Sequence, residues 1–464
     1  VNINATYTFD YKKEFDIWFP KNRKFRVSKG NNHEDIKILG GTIKFSSDLE
    51  ELESKNATDQ AYVIIELTPF DIEINKTVAI SKPRVKIEVP EISLKRENEY
   101  WNTFKKDSID KRKLRTYTSI DSLSLSEKIE HKVFLGRKII NGYFPVSIFD
   151  IDLRSIVKYN NFEGFRLGLG AVTNSKLSDT YKIAFYGAHG LKDDEFKFGI
   201  TPSYLLDKHS ETWVSGSYSE DIYEIAQTNF VTDSRRFKIY DPRPINISTF
   251  YNNKMSAAYI ESKFLPKTSS YFGISHNQIQ PLFDYTFVND DKLYTNYTIT
   301  AVQLAFQWNP FSNYMQTPIG KIEYEKRHPK FSIQYTQTLP NILGNDFAFS
   351  KLDFKTYYEL PYLSGQKSSV LLQTGIAFGD VPITHLYSIV PNNLNRDAVL
   401  QRITFAGKNS FETMYFNEFF SNKFASLQLK HTFNKVRLGY KINPEFTVVT
   451  RMAVGYNNKN NQHL

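Results

Sequence analysis

The chain contains no cysteine, which removes disulfide scaffolds, thiol nucleophiles and cysteine-based zinc sites together. It also lacks any apolar run near the roughly eighteen residues that a spanning helix needs. Mean hydropathy is −0.44. A helical membrane protein is excluded, but a β-barrel is not, because barrel strands hide their apolarity by alternating it. The nine histidines include no His-Glu-x-x-His or His-x-His pair, so the usual zinc spacing is missing. No Gly-x-Ser-x-Gly elbow supports a hydrolase. The chain opens at Val1 without a charged-then-apolar leader. A secretory signal is therefore expected to have been removed, to lie outside these residues, or never to have existed.

What is present is aromatic and basic. Phe (37) and Tyr (29) lift the aromatic share to 15%, as expected where strands meet lipid headgroups, since the tyrosine ring is apolar and its hydroxyl prefers water. The formal charge is +9. Basic residues are dispersed apart from Lys111, Arg112, Lys113 and Arg115. No nucleic-acid motif accompanies them, so this cluster reads as a solvated helical face or a contact for anionic headgroups or lipopolysaccharide.

The strongest pattern is alternation. Val302, Leu304, Phe306 and Trp308 fall on one side of a strand, with Ala301, Gln303, Ala305 and Gln307 on the other. Ala425, Leu427, Leu429 and Phe433 repeat the plan against Ser426, Gln428, Lys430 and Thr432. Strands are predicted over residues 165–172, 181–188, 196–205, 213–218, 255–264, 297–308, 321–324, 331–338, 354–359, 370–378, 425–433 and 448–456. Polar stretches 229–253 and 387–410 are expected to be loops on one rim. Together these features predict an all-β protein, an antiparallel transmembrane β-barrel of about 12–16 strands with an apolar outside and a wet inside.

Three regions are expected. Residues 1–98 form a small β-region, with strands near 1–9, 61–67 and 85–89 and one strand ended by Pro20. Residues 99–160 form a linker with short helices that could lie beneath or within the barrel as a plug, and Ser119, Asp121 and Ser122 are candidate N-caps. Residues 161–464 form the barrel. Its polar tail, Asn457 to Leu464, reads as a loop, so closing strands are expected beyond Leu464 or the barrel is completed by a partner.

The run Asp150-Ile-Asp-Leu-Arg-Ser-Ile-Val-Lys-Tyr-Asn-Asn-Phe-Glu-Gly-Phe-Arg-Leu-Gly-Leu-Gly170 is followed by Tyr186-Gly-Ala-His-Gly190 and Phe196-Lys-Phe-Gly199. Later come Phe378-Gly-Asp-Val-Pro382 and Phe411-Glu-Thr-Met-Tyr-Phe-Asn-Glu-Phe-Phe420. Across residues 100–456 the chain resembles a Bacteroidota outer-membrane barrel family of unknown function. Its members usually carry an N-terminal carboxypeptidase-regulatory-like sandwich. The resemblance implies an outer-membrane barrel, and the N-terminal region is then expected in the periplasm. It implies no activity and supplies no functional residues.

Candidate residues come from the inner wall. Glu163 stands where the linker becomes a strand, either capping a turn or binding an inward Arg, Arg166 or Arg451. Gly164, Gly168 and Gly170 lack a strand-loop-helix context for phosphate, so they are expected to admit a bulge or a close plug. Glu412, Glu418 and His431 could hold a cation or do acid–base work, or simply line a hydrogen-bonded interior. The expectation is a non-enzymatic barrel without cofactor or metal. It acts as a transport channel or as a subunit of an envelope complex for secretion, nutrient uptake or barrel assembly. Its expected partners are outer-membrane lipid, lipopolysaccharide and other envelope proteins, not nucleic acid. The competing readings are a barrel enzyme and a soluble glycan-binding β-protein.

Overall fold

A computed structural model describes residues 2–28, 36–38, 41–43, 62–69, scattered positions between 72 and 126, then 128–233, 249–265, 267–289, 292–317, 320–388, 391–393, 411–415, 419–436 and 444–457. Two compact units result, Val1–Pro83 and Arg84–Leu464.

In the first unit, β1 (Asn2–Lys12), β2 (Ile17–Ser28) and β5 (Tyr62–Leu67) form a sheet of order β1-β2-β5. Strands β3 (Ile36–Ile38) and β4 (Gly41–Ile43) pair separately. Pro20 does not end a strand. It sits inside the central strand β2, opposite Phe9, where the register shifts after Thr8. A proline has no N–H to give the ladder, and a bulge is where that loss is tolerated.

In the second unit, β6 (Ile87–Glu88) pairs with a later hairpin, and helix α1 (Ile129–Ile140) precedes the main sheet. The helix starts after Lys128 without a side-chain cap, and Asp121 lies outside the described residues. It stops at Gly142, whose φ of 85° is cheap only for glycine.

The main sheet has 15 strands. Its first members are β7 (Tyr143–Val146), β8 (Phe149–Asp152), β9 (Val157–Asn160), β10 (Gly164–Thr173), β11 (Tyr181–Gly190), β12 (Phe196–Asp207) and β13 (Thr212–Glu224). There follow β14 (Phe250–Ser262), β15 (Thr268–Pro281), the hairpin β16 (Phe287–Asn289) and β17 (Lys292–Tyr294), and β18 (Tyr297–Trp308). A second hairpin, β19 (Asn313–Thr317) and β20 (Gly320–Glu325), precedes β21 (Lys330–Thr338), β22 (Phe349–Pro361) and β23 (Lys367–Gly379). The short pieces β24 (Tyr387–Ser388), β25 (Pro391–Asn393), β26 (Phe411–Tyr415) and β27 (Phe420–Ser421) lead to β28 (Lys423–Thr432) and β29 (Thr447–Tyr456).

The order is β29-β28-β23-β22-β21-β18-β15-β14-β13-β12-β11-β10-β8-β7, with β9 also on β10. Every neighbour is antiparallel. Among the described residues the sheet does not close. The sheet takes in residues 143–160, which the sequence division gave to the linker. β8 and β9 are two halves of one strand, both paired to β10, broken between them at residues 153–156. The segment predicted over 321–324 is a strand, but it belongs to the β19–β20 hairpin and not to the main sheet.

Two faces follow from the alternation. On β18, Leu304, Phe306 and Trp308 are 37%, 37% and 49% exposed, whereas Ala305 and Gln307 are 0% and 6%. Elsewhere Phe165, Leu167, Leu169, Ile183, Phe185, Phe196, Phe198, Ile200, Phe272, Ile274, Ile333 and Leu352 are exposed. Lys197, Ser203, Ser215, Ser219, Ser332, Gln334 and Asp353 are buried on the other face. A soluble sheet buries its apolar face and wets its polar one; here the arrangement is reversed.

The polar face is not wet throughout. Where the long connections gather, Ile279, Tyr297, Ile299, Phe349 and Ala377 of the sheet pack with Tyr285, Phe287, Phe347, Val381, Leu386 and Tyr387. This corrects the expectation of a uniformly polar interior: the connections fold in and bring their own apolar cover.

Candidate functional site

Strand parity sets the site. Arg166 on β10, Tyr186 on β11, Lys197 on β12 and Asp221 on β13 all fall on the polar face, and Glu163 enters from the turn before β10. Asn160 Oδ1 accepts from the Phe162 and Glu163 amides at 3.0 and 2.8 Å. Asn160, not Glu163, therefore caps this turn. Its amide also donates to Glu163 Oε2 at 2.5 Å, which aims the carboxylate at the sheet.

Glu163, Lys197 and Arg166 are 1%, 3% and 6% exposed. Glu163 Oε1 lies 3.2 Å from Lys197 Nζ and 3.5 Å from Arg166 Nη1. Arg166 makes a bidentate pair with Asp221, at 2.6 and 2.9 Å, and the Tyr186 hydroxyl donates to Asp221 Oδ2 at 2.7 Å. Lys197 also pairs with Asp193 in the β11–β12 turn. Three carboxylates and two cations are thus interlocked, and this pairing offsets the cost of their burial, although Asp193 Oδ1 is buried without a hydrogen-bond partner. Chemically the cluster is a clasp that ties the start of β10 to the β11–β12 turn and to β13.

Of the three glycines beside it, Gly168 and Gly170 admit a close neighbour, Ser155, while Gly164 instead has a φ of 68° after the turn. A Cβ on Gly168 would lie 2.8 Å from the Ser155 carbonyl oxygen, so the break between β8 and β9 folds directly over β10 there.

A second polar group lies on β21 and β22. Gln334 donates to the Asn229 carbonyl and accepts from the Val231 amide, both at 3.1 Å. Lys351 donates to the His385 carbonyl at 2.7 Å, and Tyr387 donates to Asp353 at 2.6 Å. Tyr297 and Thr384 hydroxyls lie 2.6 Å apart, and Ala226 N donates to the Thr384 carbonyl at 3.0 Å. These bonds seat the β13–β14 and β23–β28 connections on the polar face.

His385, in the β23–β28 connection, is half-buried and packs against Tyr251, Phe349 and Thr384. Burial, reinforced by the Lys351 ammonium, lowers its imidazole from 6.5 to about 3. Below 6.5 the unfolded segment takes up a proton that the seated one refuses. The contribution of His385 to seating is therefore full at neutral pH and is lost as pH falls from 6.5 towards 3. Amide-exchange protection at Ala226 and Ser388 should decline over that window, and His385→Asn should flatten the decline. An unchanged profile in the variant would assign it to other groups.

Of the residues singled out from sequence, Glu163 and Arg166 meet. Arg451 lies on the same face but at the other edge of the sheet, where its Nε donates to Gln428 Oε1 at 3.0 Å. His431 is a correction. It pairs across the sheet with Ser368, two steps from the Leu429–Val370 pair, and so shares the apolar face. Its ring packs on Phe433 and its Nδ1 lies 2.8 Å from Ser368 Oγ. The Glu412 side chain and all of Glu418 lie outside the described residues. Sequence reasoning missed Asn160, Tyr186, Asp193, Lys197 and Asp221. Lys197 between Phe196 and Phe198 was the available signal, since a charge flanked by two outward aromatics must point inward. Among the described residues no group of three or more metal-ligating side chains occurs.

No curated protein matches the chain. Its fold is similar to that in the crystal structure of BamA from Haemophilus ducreyi lacking POTRA domains 1–3, at 14% identity and a TM-score of 0.42. That likeness covers 68% of this chain and 59% of that one, so the chain spans less than two thirds of its length. The model of the family described as "Family of unknown function (DUF5686) C-terminal domain" matches residues 132–443, most of the chain, and the protein belongs to that family.

Proposed function

We propose that the second unit forms most of a transmembrane β-barrel in a bacterial outer membrane, acting without catalysis as a gated transport barrel or as a subunit of an envelope complex. One observation carries this reading: a long antiparallel sheet exposes its apolar face and buries its polar one. Lipid is the solvent that suits such a face, and between the two sheet edges the strands satisfy one another's backbone groups, as a lipid setting requires. The seated connections argue for a barrel closed at one end, which favours gating or assembly over open diffusion. Lipid and lipopolysaccharide are its surroundings in this reading, with the first unit in the periplasm and a Bacteroidota-type envelope as the setting. A subunit role in a secretion, nutrient-uptake or barrel-assembly machine draws support from the sheet edges. Among the described residues, β29 and β9 do not pair with each other.

The absence of native cysteine makes the test direct. Spin labels at Leu304→Cys and Gln303→Cys in proteoliposomes should report lipid and water respectively; the reverse result sinks the register. Correspondingly, Leu304→Lys should destabilise by about 2–4 kcal/mol near the bilayer midplane and Gln303→Lys by much less, read from urea unfolding in lipid. Planar-bilayer recording and mild-detergent pull-down then separate the roles. Conductance by the lone protein favours transport, and a stoichiometric envelope partner favours assembly.

A further inference from the structure

The connection between β13 and β14 does not stay at the rim. β13 ends at Glu224, and the chain turns inward at Ala226, which is 1% exposed and has a φ of 54°. Alanine rarely occupies that left-handed region, so the corner must be held. Two backbone bonds pin it. Its N–H donates to the Thr384 carbonyl at 3.0 Å, and its carbonyl accepts from the Ser388 amide at 3.1 Å. Further along, Phe230 is buried, and Gln334 grips the backbone on either side of it through the Asn229 carbonyl and the Val231 amide. The Lys355 ammonium lies 4.2 Å from the centre of the Phe230 ring and pairs with Asp233.

Both grips lie at mid-depth. Gln334 is the middle residue of β21, and Lys355 is the middle residue of β22. The segment also crosses the sheet. Strands β14, β15 and β18 stand between β13 and β21, so the path along the wall is four strand spacings, about 19 Å. From Glu224 to Asn229 the chain reaches about 17 Å at full stretch. It therefore runs as a chord across a sheet curved around its polar face.

The seat of this chord differs from the apolar cluster beside it. Ser332, next to Gln334 on the polar face, pairs with Lys355 on one side and with Gln307 on the other. Ser332 Oγ and Gln307 Nε2 are buried without a hydrogen-bond partner, as is Thr232 Oγ1 in the segment itself. Lifting the segment exposes such atoms to water and recovers bonds that the seated state forgoes. Two Gln334 bonds and one ion pair hold the chord down, and unpaired polar groups oppose them. An element so balanced has two positions, where a dry apolar joint has one.

We propose that residues 227–233 are an internal gate: pinned at Ala226 and latched on Gln334 and Lys355, they narrow the lumen at mid-depth when seated and open it when lifted. This deepens the transport reading above and rests on it. The corner at Ala226 stays with the β23–β28 connection, so the tip moves while its base does not.

The test uses full-length protein in planar bilayers and in proteoliposomes. Asp233→Cys with Lys355→Cys, joined by a short bis-methanethiosulfonate linker, should conduct little until dithiothreitol cleaves the linker. Gln334→Ala should raise the time-averaged conductance about tenfold, the equivalent of one to two net hydrogen bonds. Combined with Ser332→Cys, it should speed labelling at 332 by a membrane-impermeant thiol reagent by a similar factor. A spin label at Leu304→Cys, alone and with Gln334→Ala, should stay in lipid and report an intact wall. Conductance unchanged by both linker cleavage and Gln334→Ala, with the label at 304 in lipid, overturns the gate and leaves the barrel standing. Faster labelling at 332 without a change in conductance overturns it as well. Water at 304 in both chains overturns gate and barrel together.

Discussion

Arg166→Met should weaken the folded sheet by about 3–5 kcal/mol, the range for removing one partner of a buried ion pair. The size comes from what is left behind. Asp221 loses both of its guanidinium bonds and keeps Tyr186 and its neighbouring amide. Glu163 keeps Lys197, which is already shared with Asp193. Arg166→Lys should recover only part of the loss, because an ammonium cannot span both Asp221 oxygens as the planar fork does. The double variant Arg166→Met, Asp221→Leu should be more stable than Arg166→Met alone, since it removes the orphaned carboxylate as well. Urea unfolding in lipid vesicles measures all three. If Arg166→Met unfolds at the wild-type midpoint, the clasp does not hold β10 to β13.

Phe347→Ala should have a comparable effect, about 3–5 kcal/mol for truncating a buried phenylalanine, but concentrated in the connections. Phe347 is 1% exposed and packs edge-on against Phe287, Tyr294 and Tyr297, at 4.8, 4.9 and 5.1 Å between centroids. Two of those rings belong to the β16–β17 hairpin and one to the sheet, so this side chain is the joint between hairpin and wall. Its loss should leave the distant Arg166 clasp intact while exposing the hairpin to protease. Limited proteolysis with mass spectrometry checks this. Cleavage near residues 284–296 is expected, and an intact hairpin would mean that the ring is not the joint. Phe347→Leu, which keeps most of the volume, should lie between the two.

These sites differ in how far the sequence disclosed them. The strand Tyr297–Trp308 has the bounds its alternation predicts, because both faces are written strongly. Strand β15 was missed, since Ser269, Ser270, Gly273, Ser275 and Asn277 dilute the period and leave only Phe272 and Ile274 as outward markers. β8 and β9 were missed because each is too short to show a period of its own. The segment around Lys321 was rightly read as a strand and wrongly given to the wall; periodicity reports a strand, but pairing decides its sheet. His431 was legible and misread, since it has the parity of Leu427 and Leu429. Glu163 and Arg166 were legible as an inward acid and base near a turn. Asp221 and Lys197 were not, because what joins them is the register of successive hairpins, which no local pattern contains.

The broken strand beside β10 has a consequence for the molecule before it reaches a stable home. A long, straight, greasy strand with its outer hydrogen-bonding row free would recruit the matching row of another copy and grow into a ribbon. Here Tyr143–Val146 already covers the outer row of Phe149–Asp152, so the free edge is cut into Tyr143–Val146 and Val157–Asn160, with residues 153–156 folded over Gly168 between them. An incoming strand can align with one short piece but not with both, and the break offers it no ladder to follow. The same interruption that crowds Gly168 thus blunts this edge against self-association in water, at the stage when the apolar face is most dangerous to expose.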